Sequence, residues 1–443
     1  MFNKITAAEV LPLVQKYILA DGYKMVLDLE KSEGSYIYDS LQGRKVIDLF
    51  SYFATKALGH NHPKMLQDEA FKKELLTAAL ENPSNSDFYT TQYANFIQTF
   101  SRIAMPEPFI HAFFISGGTL AVENALKVAM DWKIKKNFKK GIKAERGRQV
   151  IHFKEAFHGR SGYTLSLTNT KRGHIDGFTK FNWPRIDNPK IVFPQDPAAL
   201  EDVKRREERA IGQIKAALSD NDGDICAIII EPIQSEGGDN HFRKEFLQAL
   251  RKICDESEIL LIFDEVQNGV GLTGKFWAYQ HFDMVPDILC FGKKMQTCGI
   301  IATKRIDEIE DNCFAVKERI NSTWGGNLAD MVRATKILRV IEEDALVNNS
   351  AQQGNYILEK LHKLSNNTDI SNIRGRGLQC AFDLPAKNSR DKLLDTALKN
   401  GLLLLGAGER SIRVRPSLTI TSQVIDEAFE VLSKTLFEIG LQT

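Results

Sequence analysis

The sequence predicts an α/β protein with a large, doubly wound and mostly parallel β-sheet, followed by a smaller α+β domain. Five short apolar runs in the middle of the chain alternate with longer helical patterns. Because apolar residues occupy consecutive positions in these runs, helices are expected to cover both faces of each strand, as in a buried parallel sheet. The runs are His111–Ser116, Val150–Phe153, Ile225–Glu231, Ile259–Asp264 and Ile288–Phe291.

The chain between the first two runs carries the pattern of an amphipathic helix. Its apolar residues recur at the i, i+3, i+4 and i+7 spacing of one helix face, while Glu123 and Lys127 can pair on the other face. The apolar residues are Val122, Ala125, Leu126, Ala129 and Trp132. The basic stretch Lys133–Arg148 that follows is interpreted as a solvated helix end and loop.

The carboxy-terminal third has a different character from about Ala345 onward. Two helical segments flank short strand-like runs, of which Gln379–Leu384 and Ser411–Val414 are the clearest. Strands and helices that do not alternate regularly are typical of an α+β unit. We therefore expect a second, smaller domain there.

The composition limits the possible partners. The chain has 443 residues, with 58 basic and 57 acidic side chains and a net charge of +1, so neither nucleic acid nor an anionic membrane surface is expected to bind it. No apolar run approaches the roughly 20 residues of a membrane helix, and Met1–Pro12 lacks the cationic and apolar segments of a leader. The six cysteines include no C-x-x-C pair, so no metal site or disulfide framework is expected. We expect a cytoplasmic protein that acts on small molecules.

Polar or catalytically useful residues follow each of the five runs. Binding sites in open α/β sheets lie at the carboxyl ends of the strands, so these segments are expected to meet. Gly117–Thr119 precede a helix and can form a phosphate site, although a simple tight turn is an equally good interpretation of these residues alone. The other segments are Ala156–Arg160, Glu231–Gly238, Asp264–Gln267 and the lysine pair Lys293 and Lys294.

Asp264 and Lys293 give this edge of the sheet a specific chemistry. A buried carboxylate keeps a neighbouring heteroaromatic nitrogen protonated, and a desolvated lysine can hold a carbonyl as a Schiff base. With a phosphate cup and a flat aromatic residue, they indicate a pyridoxal phosphate site. Taken singly, Asp264 could cap a helix or form a salt bridge, and Lys293 could be a solvated strand end. The coincidence of five such strand ends in one sheet favours the site.

Six segments of the chain form a pattern that extends over nearly its whole length. They are Glu231–Gln234, Phe263–Gly269, Gly274–Ala278, Pro286–Asp287, Gly292–Lys293 and Arg374–Gly377. Together, and in this order, they resemble the class III, or ω-, aminotransferases, which are fold-type I pyridoxal phosphate enzymes. The resemblance implies that residues 1–60 and 331–443 form a small domain from the two chain termini, and that residues 61–330 form the large cofactor-binding domain.

The resemblance also implies roles for residues around the cofactor. Lys293 would hold the cofactor and move a proton during the reaction, and Asp264 would pair with the pyridine nitrogen. Phe157 would stack on the ring. Gln267 would hydrogen-bond the phenolic oxygen of the cofactor and lie beside the substrate.

Three residues are implied as phosphate ligands. Gly118 and Thr119 would bind the phosphate from within the chain, the hydroxyl contact of Thr119 varying among family members. Thr323 would reach over from the other subunit of a dimer. The resemblance therefore implies a homodimer with its active sites at the interface.

Substrate recognition is implied for two arginines and one glutamate. Arg160 would bind the α-carboxylate of an amine donor, and Arg415 the second carboxylate of 2-oxoglutarate. Glu236 would neutralise Arg415 when no second carboxylate is present and swing away when one binds. For Arg374 and Arg413 we prefer structural pairing.

The choice of substrate depends on finer similarities. Ser161–Asn169, Cys290–Lys294 and Asn321–Asn327 are most similar to family members that transfer the ε-amino group of L-lysine to 2-oxoglutarate, which forms L-glutamate. Members that act on 4-aminobutyrate or ornithine share the cofactor residues and are an alternative. A pyridoxal phosphate decarboxylase or racemase, and a non-enzymatic binding protein, are further alternatives on the same fold.

Of the two adjacent lysines, Lys293 is expected to reach the cofactor. It has the family's spacing from Asp264 and Asp287. Consecutive side chains of an extended chain point to opposite faces, so Lys294 is expected to be a structural or solvated cation.

Overall fold

A computed structural model of the protein describes residues 5–441. Residues 1–4 of the predicted amino-terminal segment and residues 442–443 of the predicted carboxy-terminal segment lie outside the described residues. None of the helices within residues 5–441 combines the length and the apolar character needed to cross a membrane.

The described chain alternates helices and strands over most of its length. Its α-type elements are α1 (Ala7–Gln15), α2 (Ser51–Ala54), α3 (Pro63–Leu66), α4 (Glu69–Glu81), α5 (Thr91–Ala104), α6 (Gly118–Lys139), α7 (Gly162–Leu167), α8 (Pro197–Asp220), α9 (Lys244–Glu256), α10 (Leu328–Glu343), α11 (Leu346–Ser365), α12 (Lys387–Lys399) and α13 (Ser422–Glu438). Short 3₁₀ turns span Arg172–His174, Ala278–His281, Lys293–Met295 and Lys304–Glu308.

The strands belong to one large and three smaller sheets. They are β1 (Leu27–Glu33), β2 (Tyr36–Asp39), β3 (Arg44–Asp48), β4 (Phe109–Ile115), β5 (Gln149–Phe153), β6 (Arg185–Ile186), β7 (Ile225–Ile230), β8 (Ile233–Gln234), β9 (Asn240–His241), β10 (Leu260–Asp264), β11 (Ile288–Phe291), β12 (Cys298–Thr303), β13 (Ser371–Arg376), β14 (Gln379–Asp383), β15 (Leu402–Leu403), β16 (Leu405–Ala407) and β17 (Ser411–Val414).

The large sheet has the order β4-β12-β11-β10-β7-β5-β6 and confirms the predicted, mostly parallel architecture. Strands β11, β10, β7, β5 and β6 pair in parallel, and only β12 runs antiparallel to its neighbours β11 and β4. All six residues of β7 are buried, as its unbroken apolar sequence predicts. The five predicted strands all form, with ends within two residues of the predicted ones. Strands β6 and β12 were not predicted.

Helix α6 covers one face of this sheet with its predicted apolar stripe. It continues to Lys139, so the first part of the basic stretch is a helix end, as predicted. Lys133 is buried, and its Nζ donates a hydrogen bond to the carbonyl oxygen of Glu258 at 2.9 Å. Interpreting the whole of Lys133–Arg148 as solvated was therefore wrong at its start, because a long lysine stem can cover apolar surface while its amine finds a carbonyl.

The two ends of the chain meet in a four-stranded sheet with the order β1-β2-β3-β15. Strand β3 from the amino-terminal segment pairs in parallel with β15, where Ile47 lies opposite Leu402. A second four-stranded sheet, β13-β14-β17-β16, comes entirely from the carboxy-terminal third. Its strand β17 has the predicted bounds. Arg413 lies on this strand, Arg415 is the first residue after it, and both arginines are buried.

Candidate active site

A cleft of about 420 Å³ lies at the carboxyl ends of the large-sheet strands. Loops that follow β4, β5, β10 and β11 each contribute to its wall, as expected for an open α/β sheet. The predicted site residues that line it are Gly118, Thr119, Phe157, Asp264, Gln267 and Lys293. The structure therefore brings the predicted cofactor residues of one chain into a single cavity, with Thr323 outside it.

Lys293 enters the cleft from the end of β11. Gly292 ends the buried strand, and Lys293 opens a 3₁₀ turn with a left-handed φ of 47°. Burial and the nearby guanidinium of Arg413 lower the pKa of Lys293, while Asp264 and Glu236 oppose this shift. A lysine with a lowered pKa is more often a free amine, which is the form that attacks a carbonyl or accepts a proton.

Asp264 is the last residue of β10 and is almost fully buried. Its Oδ2 lies 2.8 Å from Nδ1 of His158, and its Oδ1 accepts a hydrogen bond from the backbone N–H of Val266 at 3.1 Å. This contact joins the buried carboxyl group of Asp264 to the buried imidazole of His158. The sequence predicted Asp264 as a cofactor residue but did not predict His158 as the residue that orients it. The available signal was the position of His158 beside Phe157 at the end of a strand.

Glu231 holds the loop that carries Phe157. Its two carboxyl oxygens accept hydrogen bonds from the backbone N–H groups of Phe157 and Ser235, each at 3.0 Å. Burial raises the pKa of Glu231 to about 7, although His158 lowers it. The sequence pattern included Glu231 without giving it a role. The structure shows that it fixes the backbone of the loop from which the Phe157 ring lines the cleft.

The amino terminus of α6 is part of the cleft wall. Gly117, with a φ of 105°, precedes the helix, and Gly117, Gly118 and Thr119 line the cleft. A Cβ on Gly118 would lie 2.8 Å from Cγ1 of Val266, and a Cβ on Gly159 would lie 2.6 Å from Oγ1 of Thr119. Both positions therefore require glycine, because neighbouring side chains pack against them. An anionic phosphate is favoured at such a helix amino terminus.

Arg413, rather than Arg415, forms the ion pair with Glu236. Its guanidinium, which has no exposed area, lies 2.8 Å from Oε2 of Glu236 and donates to Oε1 of Gln267 at 3.0 Å. Oε1 of Glu236 lies 2.8 Å from Nζ of Lys171, which is half exposed. Burial alone would raise the pKa of Glu236, but Arg413 and Lys171 hold it below its usual value.

The predicted pairing of Glu236 with Arg415 is wrong. Arg415 is fully buried and ion-paired with Asp239, and its Nη1 donates to the carbonyl oxygen of Val414 at 3.0 Å. Burial lowers the pKa of Arg415 to about 10, against the opposing effect of Asp239. Arg413 lies on β17 and Arg415 directly follows that strand, and both contact the loop after β8, where Glu236 pairs with Arg413 and Asp239 with Arg415. Sequence spacing could not separate these two pairings.

Arg374, for which structural pairing was preferred, lies away from the cleft. Its guanidinium binds Asp383 at 2.9 Å and donates to Oγ of Ser411 at 2.8 Å and to the carbonyl oxygen of Asp239. All of these partners are buried, so Arg374 joins β13, β14 and β17 to the loop after β8.

Arg160 and Thr323 do not line the cleft of this chain. The Arg160 side chain is exposed at the rim of the cleft. Burial, Lys171 and Arg160 together lower the pKa of the nearby His174. Thr323 is exposed, and its carbonyl oxygen accepts a hydrogen bond from Oγ of Ser84 at 2.6 Å.

Lys294 points away from Lys293 into the protein. It is almost fully buried, and its Nζ donates to the carbonyl oxygen of Ala54 at 2.6 Å. The expectation of a structural cation agrees with this burial, and that of a solvated one is wrong. The two side chains diverge within a 3₁₀ turn rather than by the alternation of an extended chain, so the reason given for their divergence was also wrong.

The cleft fits pyridoxal phosphate. A buried carboxylate that can face a ring nitrogen, a lysine with a lowered pKa, an aromatic side chain and a glycine-lined helix amino terminus are the donor set that this cofactor requires. The buried Nε2 of His158 also has no partner within the described residues and lies in the wall of the same cleft. The fold and the site together define a fold-type I pyridoxal phosphate enzyme.

Comparison with known proteins narrows this class. The family model described as aminotransferase class-III matches residues 18–436. The chain is 47% identical over 433 residues to the L-lysine-epsilon aminotransferase of Mycobacterium tuberculosis, covering 97% of this chain and 96% of that protein. It is 44% identical over 442 residues to the L-lysine-epsilon aminotransferase of Streptomyces clavuligerus, covering 99% and 96% of the two chains.

A solved structure supports the same family. The lysine aminotransferase from M. tuberculosis in the internal aldimine form matches with a TM-score of 0.96 and 47% identity, covering 98% of this chain and 100% of that one. The chain belongs to the class-III aminotransferases. The predictions of a fold-type I architecture, of aminotransferase activity and of pyridoxal phosphate as the cofactor are confirmed.

Proposed function

We propose that this protein is an L-lysine 6-transaminase. It would move the ε-amino group of L-lysine to 2-oxoglutarate and form 2-aminoadipate 6-semialdehyde and L-glutamate. The observation that carries the proposal is the buried ion pair between Arg413 and Glu236, in which Arg413 also donates a hydrogen bond to Gln267 of the cleft wall. The similarity of the chain to two L-lysine-epsilon aminotransferases, at 44% and 47% identity, supports L-lysine as the substrate.

The residues around the cleft have separate tasks toward the cofactor. Gly118 and Thr119 would bind its phosphate at the amino terminus of α6, Phe157 would cover its ring, and Asp264 would keep its nitrogen protonated. When bound, pyridoxal phosphate supplies an aldehyde carbon that exchanges one amine for another and a ring that accepts electron density. Lys293 takes and returns the proton at the reacting carbon of the substrate, because its lowered pKa leaves the amine free to do so.

The Arg413–Glu236 pair allows one cleft to accept two different substrates. An ω-amino donor brings only a methylene chain close to Arg413, so the guanidinium needs Glu236 as its counter-ion. A dicarboxylic keto acid brings a second carboxylate, which can replace Glu236 through a forked pair of hydrogen bonds. Glu236 is then required to leave Arg413, and its position at the edge of the pair, 14% exposed, permits this movement.

Arg160 is proposed to select the orientation of L-lysine. Its exposed guanidinium lies at the rim of the cleft, one residue after Gly159 of the wall. A carboxylate held there would leave the far end of the lysine chain to reach the cofactor. The product aldehyde then lies within ring-closing reach of its own α-amine, and cyclisation to 1-piperideine 6-carboxylate needs no residue of the protein.

We further propose that the protein acts as a homodimer in which Thr323 completes the phosphate site of the partner subunit. Thr323 is exposed, and large apolar side chains near it are exposed as well: Trp324 is 52% exposed and Phe88 is 70% exposed. Such side chains are often covered by a partner. The cytoplasmic location stays a prediction.

The deciding experiment is incubation of the holoenzyme with L-lysine and 2-oxoglutarate and identification of the products. A cyclic imine that retains its carboxylate, with one L-glutamate formed per lysine consumed, is expected. Loss of the α-amine instead would overturn the proposal, and turnover without a keto acid would indicate a decarboxylase or racemase. Higher kcat/KM with 4-aminobutyrate or L-ornithine would assign the protein to one of those ω-transaminases, which share its cofactor residues.

A further inference from the structure

The element α2 is a single left-handed turn beside the active site. Its four residues, Ser51 to Ala54, have φ values of 42°, 53°, 57° and 65°. None of them is glycine, and two are aromatic. A side chain bearing a Cβ is strained in this conformation, and consecutive strained residues are rare. Such a turn persists only where its surroundings hold it in place.

Three hydrogen bonds hold the beginning of this turn. Oδ1 of Asp48 accepts hydrogen bonds from the backbone N–H groups of Phe50 and Ser51 at 2.9 and 2.7 Å. Oγ of Ser51 donates to the carbonyl oxygen of Arg415 at 2.6 Å. Because Asp239 fixes Arg415, the front of the turn is anchored to a buried network.

The end of the turn is held by Lys294. Its Nζ donates to the carbonyl oxygen of Ala54 at 2.6 Å from a position where only 1% of the residue is exposed. Burial first, and then the charges of Arg415 and Lys293, lower the pKa of Lys294 well below its ordinary value. A lysine amine is costly to desolvate, whereas leucine or methionine would fill a buried space without that cost. The hydrogen bond to Ala54 is therefore what distinguishes lysine from an apolar residue at this position.

The far side of the turn faces the catalytic lysine. Nζ of Lys293 lies 5.6 Å from the centroid of the Phe53 ring. Thr55, which follows the turn, lines the cleft, and its carbonyl oxygen accepts a hydrogen bond from Nε2 of Gln296 at 3.2 Å. The same 3₁₀ turn thus carries Lys293, which lines the cleft, and Lys294, whose amine holds the backbone of the left-handed turn just before Thr55 of the cleft wall.

We propose that Lys294 is a positioning residue that locks the left-handed turn so that Phe53 stays beside the amine of Lys293 and Thr55 stays in the cleft wall. The lock keeps a strained backbone in the one conformation that shapes the site. Without it, the turn relaxes to unstrained φ values and the wall moves. This inference depends on Lys293 as the cofactor lysine and does not depend on which amine the enzyme uses.

The test is Lys294→Met, which keeps the length of the side chain and removes the donor. KM for both the amine donor and 2-oxoglutarate is expected to rise about tenfold, because one wall serves both half-reactions, while kcat changes less than about threefold. Amide hydrogen exchange in residues 50–56 is expected to be at least about tenfold faster, with exchange in β10 unchanged. The visible absorbance of the bound cofactor should remain, which separates failure of this inference from loss of the cofactor site.

A second substitution distinguishes a lock on the turn from a general contribution to stability. Glycine adopts the φ of 65° at Ala54 without strain, so Ala54→Gly in the Lys294→Met background should return KM to within about threefold of the wild-type value. Ala57→Gly is the matched control, because Ala57 is also buried but lies outside the left-handed turn, and no rescue is expected.

Two results would overturn the proposal. One is a lowered unfolding temperature of Lys294→Met with unchanged KM and unchanged amide exchange in residues 50–56. The other is an equal rescue of KM by Ala57→Gly in the Lys294→Met background. If Lys294→Met does not fold, the Lys294→Met/Ala54→Gly variant is measured in its place. Folding of that variant with nearly wild-type KM supports the lock, and its failure to fold assigns Lys294 to the general stability of the protein.

Discussion

Replacing Glu236 by glutamine tests the proposal that one cleft accepts both an ω-amino donor and a dicarboxylate through the Arg413–Glu236 pair. Arg413 has no exposed area, and Oε2 of Glu236 is its counter-ion at 2.8 Å. Removing one partner of a buried ion pair costs about 3–5 kcal/mol. The glutamine oxygen can still accept one hydrogen bond, and water can reach the edge of the pair, so we take the effect as about 2 kcal/mol, or roughly 30-fold in a rate constant.

The direction of the effect differs between the two half-reactions. L-Lysine would displace water from an Arg413 that has lost its counter-ion, so kcat/KM for L-lysine should fall. L-Glutamate would no longer need to displace Glu236, so its kcat/KM should stay constant or rise. The selectivity for L-lysine over L-glutamate is therefore expected to fall by roughly 30-fold.

The assay is a single-turnover measurement of each half-reaction, followed through the visible absorbance of the cofactor. Glu245→Gln is the control for loss of a carboxylate, because Glu245 also pairs with an arginine, Arg243 at 3.0 Å, but is 66% exposed, whereas Glu236 is 14% exposed and pairs with an arginine that contacts Gln267 of the cleft wall. Equal changes for both substrates in Glu236→Gln, or an unchanged rate with L-lysine, would refute the reasoning.

The remaining predictions concern four other positions. Arg413→Lys should raise KM for L-glutamate about tenfold and leave KM for L-lysine nearly unchanged, because a lysine side chain at position 413 cannot form a forked contact with a carboxylate. Arg415→Lys should lower the thermal unfolding midpoint and change the kinetics of both substrates alike. Lys293→Ala should abolish the visible absorbance of the bound cofactor in a protein that still folds. His152 has a pKa lowered by burial from 6.5 to about 3, so its contribution to stability is present above pH 6.5 and is lost as the pH falls toward 3; His152→Gln should remove about 2 kcal/mol of acid destabilisation between pH 7 and pH 5.

Each of these predictions has a contrary outcome. A selective loss of L-glutamate binding in Arg415→Lys would return the substrate role to that arginine. Retained visible absorbance in Lys293→Ala would place the cofactor on another lysine, and Lys294→Met is the comparison for this measurement. For His152, unfolding midpoints of variant and wild type that keep a constant difference between pH 7 and pH 5 would show that the buried imidazole titrates normally.

The strands and the residues at their ends could be predicted because each depends on local sequence. An apolar run such as β7 is buried on both faces whichever helix covers it, and Asp264 and Lys293 follow their strands directly. The geometry of the open sheet then requires these strand ends to meet. Strand β12 lacked such a signal, because Gly299 and a short apolar run between polar residues are also typical of a loop.

Residues that act through another residue were harder to predict. His158 and Glu231 are recognisable only once the positions of Asp264 and of the Phe157 backbone are known. Lys294 gave a misleading signal, because a second cation at a strand end is usually solvated. Its partner is the carbonyl of Ala54, some 240 positions away in the chain, and no side-chain pattern records a backbone acceptor.

The choice between Arg413 and Arg415 illustrates the limit most clearly. A single loop supplies both acids, Glu236 and Asp239, and the strand β17 with its next residue supplies both arginines, so either pairing agrees with the sequence. The inner pair is fully buried: neither side chain has exposed area, Arg415 also donates to backbone carbonyls, and Asp239 accepts from Nε2 of Gln379 at 3.2 Å.

The outer pair is open at one edge, where Glu236 is 14% exposed and also contacts the half-exposed Lys171. Breaking the inner pair would leave two buried charges without partners, whereas Glu236 can leave Arg413 for water and Lys171. The proposed switch, which would open in every catalytic cycle, therefore fits the outer pair and not the inner one. This difference in burial, rather than the identity of the residues, is the reason that we propose the substrate role for Arg413.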